Sequence, residues 1–120
     1  MDTFREVRLS FIEEEILKLL SSIIDKELPK ATKLLLFGSR ARGESGEDSD
    51  LDLAVVVDLP VIDKAFWDRL WAIKWRVLEL LDSEEFPLSL IPITLTDFRT
   101  GDSGIIREIK REGIVVWERN

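Results

Sequence analysis

The chain has 120 residues, 24 of them Asp or Glu and 17 Lys or Arg, for a net charge of −7. That length leads to the expectation of a single domain, residues 1–120, with a proper core and no second one. With no Cys, His or Tyr, disulfides, thiolate nucleophiles, Cys-ligated metals and the commonest general base are excluded, so any chemistry runs on carboxylates, hydroxyls, Lys, Arg, backbone amides and a metal held by oxygen. Gln is absent, Asn occurs only at Asn120 and Met only at Met1, while Glu, Lys and Arg are plentiful, a composition typical of thermophile proteins. No apolar run approaches the roughly 20 residues that span a bilayer, and Met1-Asp2-Thr3-Phe4-Arg5-Glu6 has no signal-peptide character. The expected location is the cytoplasm, with no membrane partner. The negative charge argues against a direct grip on nucleic acid.

The elements follow in chain order. Ser10-Phe11-Ile12-Glu13 is a capping box, and Ile12, Ile16, Leu19, Leu20, Ile23 and Ile24 continue a helical stripe to about Leu28, ended by Pro29. Lys33 to Phe37 reads as a fully buried strand. Residues 39–49 read as a turn or short helix and then a loop. Asp50 to Val57 is the second strand, with Asp50, Asp52, Ala54 and Val56 on one face. Ile62 to about Leu81 is a long helix. Leu88 to Ile93 is a third strand, where Pro92 signals an edge or a bulge. Thr96 caps a short turn through Phe98. Ser103 to Glu112 is the last helix, closed by Gly113, and Ile114 to Trp117 is a final strand. The pattern predicts an α/β (α+β) domain, a small mixed sheet with helices packed on it.

One segment carries chemistry: Phe37-Gly38-Ser39-Arg40-Ala41-Arg42-Gly43, then Ser49-Asp50-Leu51-Asp52-Leu53. Carboxylates at i and i+2 on a strand point to one side, with Cα atoms about 6.6–7 Å apart. They repel one another and favour a cation, and hard oxygen ligands suit Mg²⁺ held together with substrate phosphates. Gly38 lets backbone approach a ligand closely. A helix starting near Ser39 turns its amides and hydroxyl toward an anion, and Arg40 and Arg42 add charged donors. A lone Asp-x-Asp is more often a solvated strand end. Here Asp52 stands between Leu51 and Leu53 in an apolar run, where an uncompensated charge costs several kcal/mol, so a cation or partner is expected. The layout is that of phosphoryl or nucleotidyl transfer.

Gly38-Ser39 followed after ten residues by Asp50-x-Asp52 resembles the signature of the nucleotidyltransferase superfamily related to DNA polymerase beta. The Gly-Ser-Arg-Ala-Arg-Gly run and the stretch from Ile106 to Gly113 are similar to its smallest members, the minimal nucleotidyltransferases. The resemblance implies that Gly38 and Ser39 contact the triphosphate of ATP, with Arg40, Arg42 and Ser49 in the nucleotide site. It also implies that Asp50 and Asp52 bind two Mg²⁺ as the catalytic carboxylates. Many such proteins are antitoxins of a HEPN-domain ribonuclease toxin, and some transfer AMP from ATP to a Tyr of that partner. The implied complex is therefore a hetero-oligomer, with the acceptor in trans. The family's third carboxylate aligns with Ser89 in Pro87-Leu88-Ser89-Leu90-Ile91, and a neutral Ser cannot serve as a base; Glu84 or Glu85 of the preceding loop are the nearest substitutes. The alternatives are a catalytically impaired binding module on the same fold, or a small-molecule nucleotidyltransferase, which usually needs a second domain.

The long helix carries two stripes. Phe66, Leu70, Ile73, Val77 and Leu80 make one; Trp67, Trp71, Trp75 and Leu78 make its neighbour. Together they exceed the ~100° of an ordinary amphipathic helix. A broad core accounts for this, and so does a partner interface anchored by Trp67, Trp71 and Trp75. The interface reading predicts that Trp67 and Trp71 are at least partly exposed.

Overall fold

A computed structural model describes residues 9–43 and 50–120. Helix α1 (Phe11–Glu27) starts on the capping box, with both bonds made: Ser10 N donates to Glu13 Oε1 at 2.8 Å and Glu13 N to Ser10 Oγ at 3.2 Å. Strand β1 (Ala31–Phe37) leads through Gly38 into α2 (Ser39–Arg42), a single turn. Strand β2 (Leu51–Val57) is followed by α3 (Lys64–Leu80), capped by Asp63, whose carboxylate accepts from Phe66 N at 2.9 Å. Then come β3 (Leu88–Thr94), α4 (Leu95–Thr100), α5 (Gly104–Glu112) and β4 (Ile114–Glu118).

The sheet runs β3-β2-β1-β4. β2 and β3 are parallel, joined by the α3 crossover, while β1 is antiparallel to both β2 and β4. The mixed sheet with packed helices is the predicted class. Its strands are apolar on both faces because both faces are covered. Leu34, Leu36, Leu51, Leu53, Val55 and Val57 pack with Ile16, Leu20 and Ile24 of α1 and Leu70, Ile73 and Val77 of α3. Leu35, Phe37, Ala54 and Val56 meet Ile109 of α5 on the other side, with Phe98 of α4 against them. Pro92 sits in the edge strand β3, where a missing N–H is tolerated.

β2 starts at Leu51 rather than Asp50, which stands just before it, and two caps differ from expectation. The cap of α4 is Thr94 rather than Thr96: β3 runs one residue further than expected, and Thr94 Oγ1 accepts from Asp97 N at 3.0 Å. Gly113 ends α5 in extended backbone (φ −66°, ψ 138°), not the left-handed form usual at that position. What requires glycine there is space, since a Cβ would meet the carbonyl oxygen of Ile109.

Arg119 closes the sheet onto α1. Its N–H bonds Thr32 O at 2.9 Å, and its guanidinium donates to Ala31 O at 2.9 Å, Leu28 O at 3.0 Å and Asp25 O at 3.2 Å. Among the described residues, no helix is long and apolar enough to cross a membrane.

Candidate nucleotide site

The site forms at the rim where β1 ends and β2 and β3 begin. Gly38 leaves β1 with φ 78° and ψ −159°, a conformation that essentially only glycine adopts. The Asp52 carboxylate fills the space beside it. A Cβ on Gly38 would collide with Asp52 Oδ2 and lie 3.2 Å from Asp52 Cγ. The bare backbone at 38 therefore lets a half-buried carboxylate nestle against the entry to α2, which brings the two motifs together in space.

Asp52 shares its face of β2 with Ala54 and Val56, the face covered by α4 and α5. Burial is the main force pushing its pKa up, followed by the like charges of Asp50 and Glu108; Arg42 and Arg40 pull it back down. Asp50 is exposed just before the strand. Two carboxylates within reach of each other's charge favour a cation beside them. Among the described residues no group of three potential ligands occurs. Asp50 and Asp52 offer two hard oxygen donors, a set compatible with a divalent ion only if substrate and water complete its ligands. Ser89 is the register partner of Asp52 on β3, a place from which a longer acidic side chain could join the pair.

The two arginines have carboxylate partners within the fold. Arg40 Nε lies 2.7 Å from Glu13 Oε2, with side chains only 12% and 6% exposed, so the α1 cap also anchors α2. Arg42 Nη1 lies 2.8 Å from Glu112 Oε1 and 3.8 Å from Glu108 Oε2 of α5. Both still act on Asp52 through their field. Ser49 lies outside the described residues. Glu84 and Glu85 line a surface pocket of about 600 Å³ with Ile12, Asp82, Ser83 and Phe86.

On α3, Trp67 is 45% and Trp71 59% exposed, while Trp75 is half-buried against the core. The expected exposure of the first two is found. Sequence reasoning missed Lys74. Its Nζ stands 4.8 Å from the Trp71 ring centroid and 5.4 Å from that of Trp75, burial lowers its pKa, and Asp50 opposes that shift. A Lys at i+3 from one Trp and i−1 from the next was the available signal.

A mixed sheet with a glycine-led turn and paired carboxylates at one rim defines a nucleotidyltransferase architecture. A family model described as "Polymerase beta, Nucleotidyltransferase" matches residues 14–120, and the chain belongs to that family. It is similar to the protein adenylyltransferase MntA of Shewanella oneidensis, 26% identical over 105 residues that cover 88% of this chain. The chain spans 64% of that relative's length. A crystal structure of a toxin–antitoxin with AMP-PNP superposes with a TM-score of 0.60 at 19% identity, covering 86% of this chain and 73% of the other. A structure of tri-AMPylated Shewanella oneidensis HEPN toxin with MNT antitoxin gives 0.51 at 20% identity over the same shares. These structures share the fold.

Proposed function

We propose that the chain is a minimal nucleotidyltransferase antitoxin. It binds ATP with Mg²⁺ at Asp50 and Asp52 beside the Gly38-Ser39 turn, and neutralises a HEPN-domain ribonuclease toxin through its tryptophan-bearing face and by transferring AMP to that partner. The observation that carries this reading is the Asp52 carboxylate, seated against Gly38 with Asp50 at its side. The relatives support the partner: one is named a protein adenylyltransferase, and the neighbours are toxin–antitoxin complexes. The chain's place would be the cytoplasm, as part of a hetero-oligomer.

In this reading the bare backbone of Gly38 and the hydroxyl of Ser39 receive the triphosphate, and Asp50 and Asp52 hold the metal. Bound Mg²⁺ supplies charge neutralisation at the phosphates. The chain has no Tyr, so a tyrosyl acceptor comes from the partner. Ser89, beside Asp52, offers no base for the acceptor hydroxyl, which leaves transfer slow and gives weight to neutralisation by contact. Exposed Trp67 and Trp71 favour that second component, since exposed apolar patches on soluble proteins mark interaction sites.

Calorimetry and thermal shift test the site. ATP with Mg²⁺ at a hundred times its Kd should stabilise the fold by about 2.7 kcal/mol. Asp50→Asn/Asp52→Asn should abolish the effect. Absence of Mg²⁺-dependent ATP binding by the natural protein refutes the assignment.

A further inference from the structure

Trp71, Lys74 and Trp75 occupy one face of α3 at i, i+3 and i+4. The two indoles meet edge to face, centroids 5.9 Å apart at 70°. The Lys74 ammonium stands within cation–π range, ~6 Å, of both rings. A lysine at the margin of a helix ordinarily extends its charge into water. Lys74 instead gives up hydration between two rings and has no ion-pair partner among the described residues, whereas Lys64 on the same helix pairs with Asp68 at 2.8 Å. The charge reaching Lys74 is that of Asp50, from beyond ion-pair distance. α3 packs against β3, and β3 flanks β2 on the side away from β1 and α2. α3 covers the sheet face opposite the one that carries Asp52, so what links the cluster to the site is Asp50, exposed just before β2.

We propose that Trp71, Lys74 and Trp75 form a second ligand subsite, for a nucleoside monophosphate, on the α3 face of the sheet near Asp50. The exposed indole of Trp71 offers a flat surface on which a base stacks whatever its sequence identity. The Lys74 ammonium, held in place by the rings, takes the phosphate as a point charge. A ligand with a flat ring and an anion at one end satisfies both features at once. The subsite rests on the proposed nucleotide chemistry for its use: an adenylate on the partner, or free AMP, would lie with its phosphate toward Asp50. Its binding does not depend on the metal site.

The test uses the Asp50→Asn/Asp52→Asn protein without Mg²⁺, titrated with AMP and followed by the indole N–H resonances of the four tryptophans. Signals of Trp71 and Trp75 should move, with that of Trp117 on β4 as the unaffected control. Lys74→Met and, separately, Trp71→Ala should each weaken AMP about tenfold, within the range that one base–aromatic stack supports. Adenosine should bind the natural cluster more weakly than AMP and be insensitive to Lys74→Met. Thermal denaturation checks that both variants fold. Loss of Mg²⁺-ATP binding in the natural protein alone would sink the metal-site reading and leave this one standing. AMP that shifts neither Trp71 nor Trp75, or adenosine that binds as tightly as AMP, overturns the subsite. With the natural metal site, an adenylylated partner binding no more tightly than the unmodified one assigns the subsite to free AMP; tighter binding lost on Lys74→Met assigns it to the attached adenylate.

Discussion

Gly38→Ala probes the joint between the two motifs. The substitution imposes two distinct costs. A Cβ at φ 78°, ψ −159° is strained by about 1–3 kcal/mol. The same atom strikes Asp52 Oδ2, with Asp52 Cβ and Cγ just behind at 3.3 and 3.2 Å, and such overpacking typically costs ~1–3 kcal/mol more. The total, ~2–6 kcal/mol, is a large part of the ~5–15 kcal/mol that holds an ordinary domain together. The two parts separate in a double-mutant cycle with Asp52→Ala, which removes the struck carboxylate and leaves the backbone strain. Urea denaturation of the four proteins should give a coupling energy of ~1–2 kcal/mol, the Gly38→Ala cost being smaller once residue 52 is alanine. In the Asp52 background, Mg²⁺-ATP affinity should also fall, since the carboxylate is pushed off its seat. Equal cost in both backgrounds would refute the claim that residue 38 is glycine because of Asp52.

Three further outcomes are expected. The Asp52 pKa is raised above its ordinary 3.8 in the folded chain, so the folded state favours the protonated form; this stability contribution is complete below the unfolded value and lost as pH rises through the folded one. Asp52→Asn should therefore raise the melting temperature at neutral pH in the absence of metal, with the gain vanishing toward pH 3; a gain unchanged across that range would contradict it. Ser89→Asp should increase AMP transfer to a purified partner by ~10²–10⁴-fold, the usual worth of general-base assistance, and a rate no faster than that of the natural protein would show that another group does the work. Trp67→Ala should cost ~2 kcal/mol or more of partner affinity, as interface hot spots do, while leaving the melting temperature nearly unchanged; a large fall in melting temperature would return Trp67 to the core.

The legible parts were those that local physics dictates. Ser10 and Glu13 make both capping bonds because a three-residue spacing suffices to set them. Leu34–Phe37 and Leu51–Val57 form central strands because continuous apolar runs need cover on both faces. Asp52 takes its face of β2 through strand alternation, with Asp50 one residue before the strand; its seat against Gly38 follows from the β1–β2 pairing, which the sequence alone did not show. Less legible was whatever depends on chain-distant partners. Arg40 and Arg42 read as phosphate ligands, while Glu13, Glu108 and Glu112, which neutralise them, lie 27 to 70 residues away in sequence. Lys74 went unnoticed because helical periodicity says nothing of which ring a long side chain folds over. Thr94 was overlooked although Thr94-x-x-Asp97 is itself a capping pattern; ending the strand at Ile93 hid it.

The Arg119 staple also has a temporal side. The carbonyls of Asp25, Leu28 and Ala31 end α1 and begin β1, yet the guanidinium that bonds them comes from 88 to 94 residues later. During synthesis the chain makes α1, β1, β2 and α3 before residues 114–119 exist, so β1, central in the finished sheet, spends that interval with a bare edge. Unpaired apolar edges are where nascent chains associate wrongly. The corner between α1 and β1 is thus made well before the residues that complete it, and a chain stopped short of residue 114 would leave the β1 edge that β4 covers open to other chains.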